Sequence, residues 1–325
     1  MLVYLIIFNL GAEKKMMKKI PVIIGPTCSA KTNLAIKLAK LIDGEIIGLD
    51  SRQIYRGIPI GTAQPSEEEL KSIKHHLIGC YDLNKSISAG QYAELVENKI
   101  NVILKKLRNP IICGGAGLYF RALTRGIFRD SFSDLDIRNT LTKKYEKNPK
   151  VLLKKLKSVD PEYSKIVHIN NKKRLVRALE IYESTGKTPS QHFLSQRLTK
   201  KKEINIFSIY LKWNQTVLDK RITLRAHEML NQGWIEEVKK VKSMEKQFNV
   251  KYSCLDSIGY NQISSYLDGD ISFKKMKEEI IIKTCQLSKK QWKWFKREPI
   301  NLFLDMDSIS VDKIAVIVRD VITCI

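Results

Sequence analysis

A parallel α/β sheet flanked by helices, built around a phosphate-binding loop and interrupted by a helical insertion, is the fold class this sequence predicts. Three observations predict it. Short apolar runs alternate with helical periodicity; three of those runs end in polar or glycine-rich turns; and a Lys-rich middle segment has almost no strand-like runs.

The first apolar run, residues 20–24, leads into Gly25-Pro26-Thr27-Cys28-Ser29-Ala30-Lys31-Thr32. A helical pattern follows, with Leu34, Leu38 and Leu41 on one stripe, and Asp43-Gly44 stops it. The second run, 45–49, ends at Asp50-Ser51-Arg52-Gln53. A third, 110–113, ends at Gly114-Gly115-Ala116-Gly117, and a fourth spans 204–211. Strands alternating with helices imply right-handed crossovers and a parallel sheet. Ligands of such sheets bind beyond the carboxyl ends of the strands, so the three polar turns are expected to share one crevice.

Residues 18–129 therefore read as the first part of the phosphate-loop core and 203–325 as its second part, with basic C-terminal helices. Between them, 130–202 reads as a helical insertion, with periodicity at Leu175, Leu179 and Tyr182. Residues 1–17 are expected to lie outside the core. Met1–Leu10 is apolar but lacks a basic flank and a cleavage site, and ten residues are too few to span a bilayer.

The 325 residues are 43% hydrophobic and 28% charged, ordinary for a globular chain. The balance of charge is not ordinary: 57 Lys+Arg against 34 Asp+Glu give a net charge of +23, a field that favours polyanions. A compositional drift toward lysine would supply part of that excess. The six cysteines are scattered without a C-x-x-C pair, which excludes zinc-ribbon spacing and argues for a reducing, cytoplasmic setting. A monomer with no membrane association is the expectation.

The segment GPTCSAKT departs from the consensus phosphate loop, G-x-x-x-x-G-K-[ST], only in having Ala30 for the second glycine. The loop's N–H groups and the following helix N-terminus form an anion cradle, a feature of nucleotide-binding and ATP-binding proteins. Lys31 would meet phosphate oxygens, and the Thr32 hydroxyl would ligate Mg²⁺. If position 30 needs a positive φ, a Cβ there costs about 1–3 kcal/mol. Asp50, just past a strand, could accept a proton as an amine is alkylated. Asp50 followed by Gln53 also fits a helix N-cap with its capping box, and both readings stand. The stretch Lys172-Lys173-Arg174 with Arg177 is either a solvated face or a set of phosphate contacts. Trp292, Trp294 and Phe295, set among Lys289, Lys290, Lys293, Lys296 and Arg297, are either core or base-stacking groups.

Together these segments resemble the tRNA dimethylallyltransferase family from about residue 20 to 297. The matching blocks are GPTCSAKT, DSRQIYRGIPIGT (50–62), HHLI (75–78), GGAGLY (114–119) and RLVRALE (174–180). Thr185-Gly186-Lys187 with Ser190, SIGYNQ (257–262) and TCQLSKKQWKWF (284–295) complete them. The resemblance implies that the loop grips the pyrophosphate of dimethylallyl diphosphate and that Mg²⁺ offsets charge on the leaving group. The substrate would be a tRNA anticodon stem-loop, clamped by the helical insertion, with the adenosine 3′ of the anticodon flipped into a channel. Its exocyclic amine would attack the allylic carbon while Asp50 deprotonates it. Lys31, Thr32 and an arginine, Arg225 in preference to Arg221, would stabilise the pyrophosphate.

By the same resemblance, RNA contacts are expected at Asp50, Ser51, Arg52, Gln53, Ala116, Arg138, Lys173, Arg174, Leu175, Val176 and Arg177. Further contacts are expected at Ser257, Ile258, Gly259, Tyr260, Asn261 and Gln262, and at Thr284, Cys285, Gln286, Lys289, Lys290 and Gln291. The chain departs from the family pattern at Ala30 (glycine), Ala116 (threonine), Cys285 (arginine), Asn171 and Gly79 (both aspartate). These departures keep two alternatives open beside the transferase: a weakened or inactive tRNA-binding relative, and a prenyltransferase acting on free adenylate. A phosphate-loop kinase is a third reading; it leaves the basic last third unexplained.

Overall fold

The computed structural model describes residues 19–126, 134–198 and 204–324, so the extension proposed for residues 1–17 lies outside the described residues. Among these residues the chain divides into two compact units. The first holds the described residues up to Ile87, together with Glu94–Phe120 and those from Asn205 on. The second holds Ser88–Ala93 and Arg121–Ile204.

In the first unit six strands form one parallel sheet: β1 (Ile20–Ile24), β2 (Gly44–Leu49), β3 (His75–His76), β4 (Asn109–Gly114), β5 (Ile206–Lys212) and β6 (Leu302–Asp305). Their order is β3-β2-β4-β1-β5-β6. The central strands are mostly apolar because both faces are covered, as a parallel sheet requires; Glu45 near the start of β2 is a buried exception. Two edge strands, β3 and β6, were not expected. β3 is two residues long, and β6 alternates half-buried with exposed positions in a stretch that reads as helical and basic.

One face of the sheet is covered by α1 (Lys31–Ile42) and α14 (Val311–Cys324). Leu34 and Leu38 of α1 meet Ile314 and Val318 of α14 over Ile23, Ile46 and Ile209. Each fully buried aliphatic side chain of this kind contributes about 1.5–3 kcal/mol. On β5, Tyr210 points the other way and stacks on Trp292 and Phe295 of α13 (Phe273–Phe295), with ring centroids 5.3 and 5.8 Å away. Phe295 is fully buried and also packs edge-on against Phe120. This stretch is therefore core at Phe295, while Trp292 stays partly exposed over Tyr210 and Phe303. The other helices of this unit are α2 (Glu67–Ser72), most of α3 (Ala89–Leu104), the start of α4 (Gly117–Arg125), α10 (Gln215–Asn231), α11 (Trp234–Phe248) and α12 (Tyr260–Leu267).

The register sets the site. Ile24 and Leu49 both pair with Gly114, so β1, β4 and β2 end level with one another. A Cβ on Gly114 would collide with the Leu49 carbonyl, so the strand ends approach this closely only with glycine there. From β1 the chain crosses to β2 on one side, and from β4 it crosses to β5 on the other. The gap between β1 and β4 is therefore the topological switch point, where a ligand crevice is expected.

The second unit is helical in its described residues: α5 (Leu135–Lys147), α6 (Pro149–Val159), α7 (Pro161–Ser164), α8 (Lys172–Thr185) and α9 (Pro189–Leu198). Its core is Leu141, Leu152, Leu156, Leu175, Val176 and Leu179. Asp160, almost fully buried, caps α7 at the Tyr163 N–H and also receives the Ser190 N–H and hydroxyl, at 2.8 and 2.7 Å. That contact gives Ser190 a scaffolding role. Asn171, a position where the resemblance implies aspartate, caps α8 through the Arg174 N–H.

Candidate active site

The phosphate loop leaves β1 at Gly25 and enters α1 at Lys31. Two of its residues take the left-handed conformation, Cys28 at φ 62° and Ala30 at φ 67°. Position 30 thus does require a positive φ, and the alanine adopts it, at a cost of about 1–2 kcal/mol relative to glycine. The loop closes nonetheless, because later segments hold its backbone. Arg221 of α10 donates Nε–H to the Cys28 carbonyl at 2.9 Å, and its guanidinium stacks 4.5 Å over Trp213. Trp213 in turn donates Nε1–H to the Ser29 carbonyl at 3.1 Å.

Arg221 is therefore part of the loop's support, whereas Arg225, one turn along α10, faces the cradle. Its Nη1 lies 3.8 Å from Cys28 Sγ. Lys31 donates to the Pro26 carbonyl at 2.6 Å. Burial lowers the Lys31 pKa; Arg225 adds to the effect, while Cys113, Cys28 and Asp50 oppose it. Two cations thus converge on a desolvated loop with no carboxylate of a described residue bound to either, an arrangement that an anion of high charge would stabilise. Cys113, deep at the end of β4, is pushed up to about 12 by burial and stays a thiol.

The residues after Asp50, which directly follows β2, form a turn and not a helix, and Gln53 closes no capping box, so the helix N-cap expected of Asp50 becomes a turn cap. Its Oδ1 accepts the Arg52 and Gln53 N–H groups at 2.8 and 3.3 Å, which fixes the turn. Its Oδ2 accepts no hydrogen bond from any described residue and remains available as a base. Tyr119 is close by, its phenol pushed up to about 12 by burial, with Tyr55 and Asp50 adding to the effect. Ala116 lies at the switch point, where its N–H reaches the Leu49 carbonyl at 3.3 Å and its carbonyl accepts the Phe120 N–H at the start of α4.

Several residues expected at the RNA make contacts within the protein. Leu175 and Val176 are buried in the core of the helical unit. Gly259, Tyr260 and Gln262 are buried too: the Tyr260 hydroxyl donates to Glu237 at 2.5 Å, and Gln262 caps α12 at the Gly259 N–H. Gln53 turns its amide to the carbonyls of Thr62 and Ala63. Gln291 bridges Thr27 and Gly115. Arg138 and Arg177 are both ion-paired to the fully buried Glu180. Ser51, Lys173, Arg174, Asn261, Gln286, Lys289 and Lys290 are exposed, and Arg52, Ser257, Ile258, Thr284 and Cys285 are half-buried. Cys285 packs against the cluster formed by Cys28, Leu218 and Ile222.

Glu237 was missed. Its buried carboxylate accepts the Ile60 and Gly61 N–H groups at 2.8 and 2.9 Å, anchoring the loop that follows Asp50. Nothing local in IEEVKK separates Glu237 from its exposed neighbour Glu236 except helical phase, since Glu237 follows buried Trp234 by three residues.

Among the described residues no three His, Cys, Asp or Glu side chains converge as a cation cage. Thr32, at the start of α1, offers a hydroxyl engaged by no described residue. A hard oxygen donor suits Mg²⁺, which commonly takes most of its remaining ligands from phosphate and water.

Fold and site together define a phosphate-loop protein whose cradle carries two cations, with a half-free carboxylate on the neighbouring strand end. Comparison with known proteins narrows this. The IPP transferase family model matches residues 53–298. A tRNA dimethylallyltransferase of Petrotoga mobilis is 37% identical over 281 residues, covering 86% of this chain and 91% of that protein. One from Alkaliphilus oremlandii is 36% identical, covering 87% and 90%. Among solved structures, the full-length tRNA isopentenylpyrophosphate transferase of Bacillus halodurans aligns with a TM-score of 0.68 and 31% identity, over 94% of this chain and 95% of that one. A eukaryotic dimethylallyltransferase acting on tRNA aligns with a TM-score of 0.80 and 27% identity, over 94% and 80%. The chain belongs to the IPP transferase family, that of the tRNA dimethylallyltransferases.

Proposed function

We propose that this prenyltransferase moves a dimethylallyl group from dimethylallyl diphosphate to the exocyclic amine of the adenosine 3′ of the anticodon in tRNA. The observation that carries the reading is the pairing, on one edge of one sheet, of a two-cation anion cradle with the unengaged Oδ2 of Asp50.

The amine lone pair forms a bond to the allylic carbon as the carbon–oxygen bond to pyrophosphate breaks. The amine proton passes to Asp50 Oδ2, while Oδ1 keeps the carboxylate oriented through the Arg52 and Gln53 N–H groups. Lys31, Arg225 and the N–H groups of the loop hold the departing oxygens. Thr32 would hold Mg²⁺, which when bound offsets part of the leaving group's charge. Lys173 and Arg174, exposed on α8, would supply phosphate contacts that position RNA without reading its sequence. No described helix is long and apolar enough to cross a membrane.

The test is incubation with radiolabelled dimethylallyl diphosphate and either tRNA or AMP. Label transferred to tRNA alone is the expected result. Transfer to AMP would make the protein an adenylate prenyltransferase, and transfer to neither would leave a tRNA-binding relative.

A further inference from the structure

Thr27 and Gly115 lie on different loops, after β1 and β4, and one side chain joins them across the switch point. Gln291 Oε1 accepts the Thr27 N–H at 2.9 Å, and Gln291 Nε2 donates to the Gly115 carbonyl at 3.0 Å. The fit is close. A Cβ on Gly115 would lie 2.7 Å from Nε2 and 3.2 Å from the Gly25 carbonyl oxygen. The amide comes from a well-anchored helix, because the next turn of α13 buries Phe295 and lays Trp294 against Gly117. Beyond Gly115, the Ala116 N–H reaches the carbonyl of Leu49, the residue before Asp50.

One carboxamide therefore links the loop that carries the cations to the strand end that carries the carboxylate. We propose that Gln291 is a positioning residue that holds the anion cradle and the Asp50 edge in register. For its effect on turnover this rests on the transfer reaction above; for its effect on anion binding it does not. The chemistry of the link is specific. Thr27 needs an acceptor and Gly115 needs a donor, and an amide supplies both without charge. A carboxylate would keep the first bond, oppose the Gly115 carbonyl, and add a negative charge beside an anion site. Methionine would keep length and bulk and make neither bond.

The experiment is calorimetric titration of inorganic pyrophosphate into the full chain without RNA, beside tRNA binding and steady-state kinetics. Gln291→Met should weaken pyrophosphate roughly tenfold, as the loss of two ordinary hydrogen bonds implies. It should leave the tRNA Kd within about twofold and lower kcat more than it raises the KM for tRNA, at the scale of that same loss. Gln291→Glu should weaken pyrophosphate further, and it tests the same bridge should the methionine variant not fold. A role confined to helix stability would lower Tm without changing the affinity of the folded fraction. Pyrophosphate affinity equal to that of the wild type, or a loss confined to tRNA affinity, overturns the proposal. A wild-type chain that binds pyrophosphate but prenylates nothing overturns the transfer reaction and leaves the Gln291 comparison readable.

Discussion

The two edges of the central sheet handle charge in opposite ways. At the amino edge the charges neutralise one another. Glu45 is buried, accepts from His76 Nε2 at 2.6 Å and pairs with Arg108 Nη1 at 3.0 Å, while Arg108 also reaches Asp43 at 2.9 Å. At the carboxyl edge Lys31, Arg225 and Asp50 form no ion pairs with one another. Mutual neutralisation stabilises a fold, whereas cations and a carboxylate left without counter-charges can act on a ligand. Exchanging side chains at one edge should therefore move stability, and at the other edge activity.

The largest effect should come from Asp50→Asn. Asparagine keeps the turn-capping oxygen and loses the base, so turnover should fall roughly 10²–10⁴-fold. Chemical denaturation should show stability within about 0.5 kcal/mol of wild type, since Asn and Asp cap comparably. A variant with ordinary turnover would reduce Asp50 to its turn and erase the difference between the edges. Glu45→Ala should do the reverse, costing about 3 kcal/mol in urea unfolding because it strips the partner from His76 and Arg108. The folded fraction should keep its kcat; a matching loss of kcat would mean that the two edges are coupled.

Acid should act first through the amino edge. Burial lowers the pKa of His75 and of His76 below 6.5, against the raising effects of the Ile73 carbonyl and Glu69 on His75 and of Glu45 on His76; Lys74 and Lys99 also lower His76. The unfolded chain therefore takes up these protons first, and the stability the histidines contribute is present above about pH 6.5 and lost below it. Burial raises Glu45, but His76, Lys106 and Arg108 outweigh it and hold the carboxyl below its usual value. Its contribution is lost in turn as pH falls below about 4.5. The urea midpoint should decline steadily from pH 7 to pH 4; in Glu45→Gln the part below about pH 4.5 should be shallower, while the part above it should be steeper, because Glu45 no longer raises His76. A flat profile would remove titration from the account of this edge.

The smallest effects should come from reverting the two departures at the carboxyl edge. Ala30→Gly relieves a left-handed alanine and should raise stability by about 1 kcal/mol. Ala116→Thr adds a hydroxyl beside the reacting groups and at the head of α4. It should raise turnover by no more than roughly tenfold. A larger gain would mean that the natural chain is a crippled enzyme.

What was legible in the sequence was what short-range pattern records. The four central strands, the loop and the turn at Asp50 could be placed because each is a contiguous run ended by polar or glycine residues. β3 and β6 were not legible: a two-residue strand has no period, and β6 keeps only half of one face covered. The site divides along the same line. Lys31, Asp50 and Arg225 fall together because strand ends and one helix face bring them there. By contrast, Tyr260, Gln262, Gln53 and Gln291 carry the same family blocks yet are engaged by the scaffold. A motif marks a neighbourhood; which of its polar groups remain free depends on partners elsewhere, such as Glu237 for Tyr260.

The phosphate loop also has a history within each round of synthesis. Its backbone is held by Trp213, Arg221 and Gln291, which lie 184, 193 and 264 residues further along the chain than the groups they bind. Residues 25–32 therefore emerge from the ribosome long before the side chains that hold two left-handed residues in place. Contacts so distant in sequence form late, after the closure entropy of the intervening chain has been overcome. A nascent chain thus carries the phosphate-loop sequence without the contacts that hold it, and the loop takes its final form only once α10 and α13 have been made and docked.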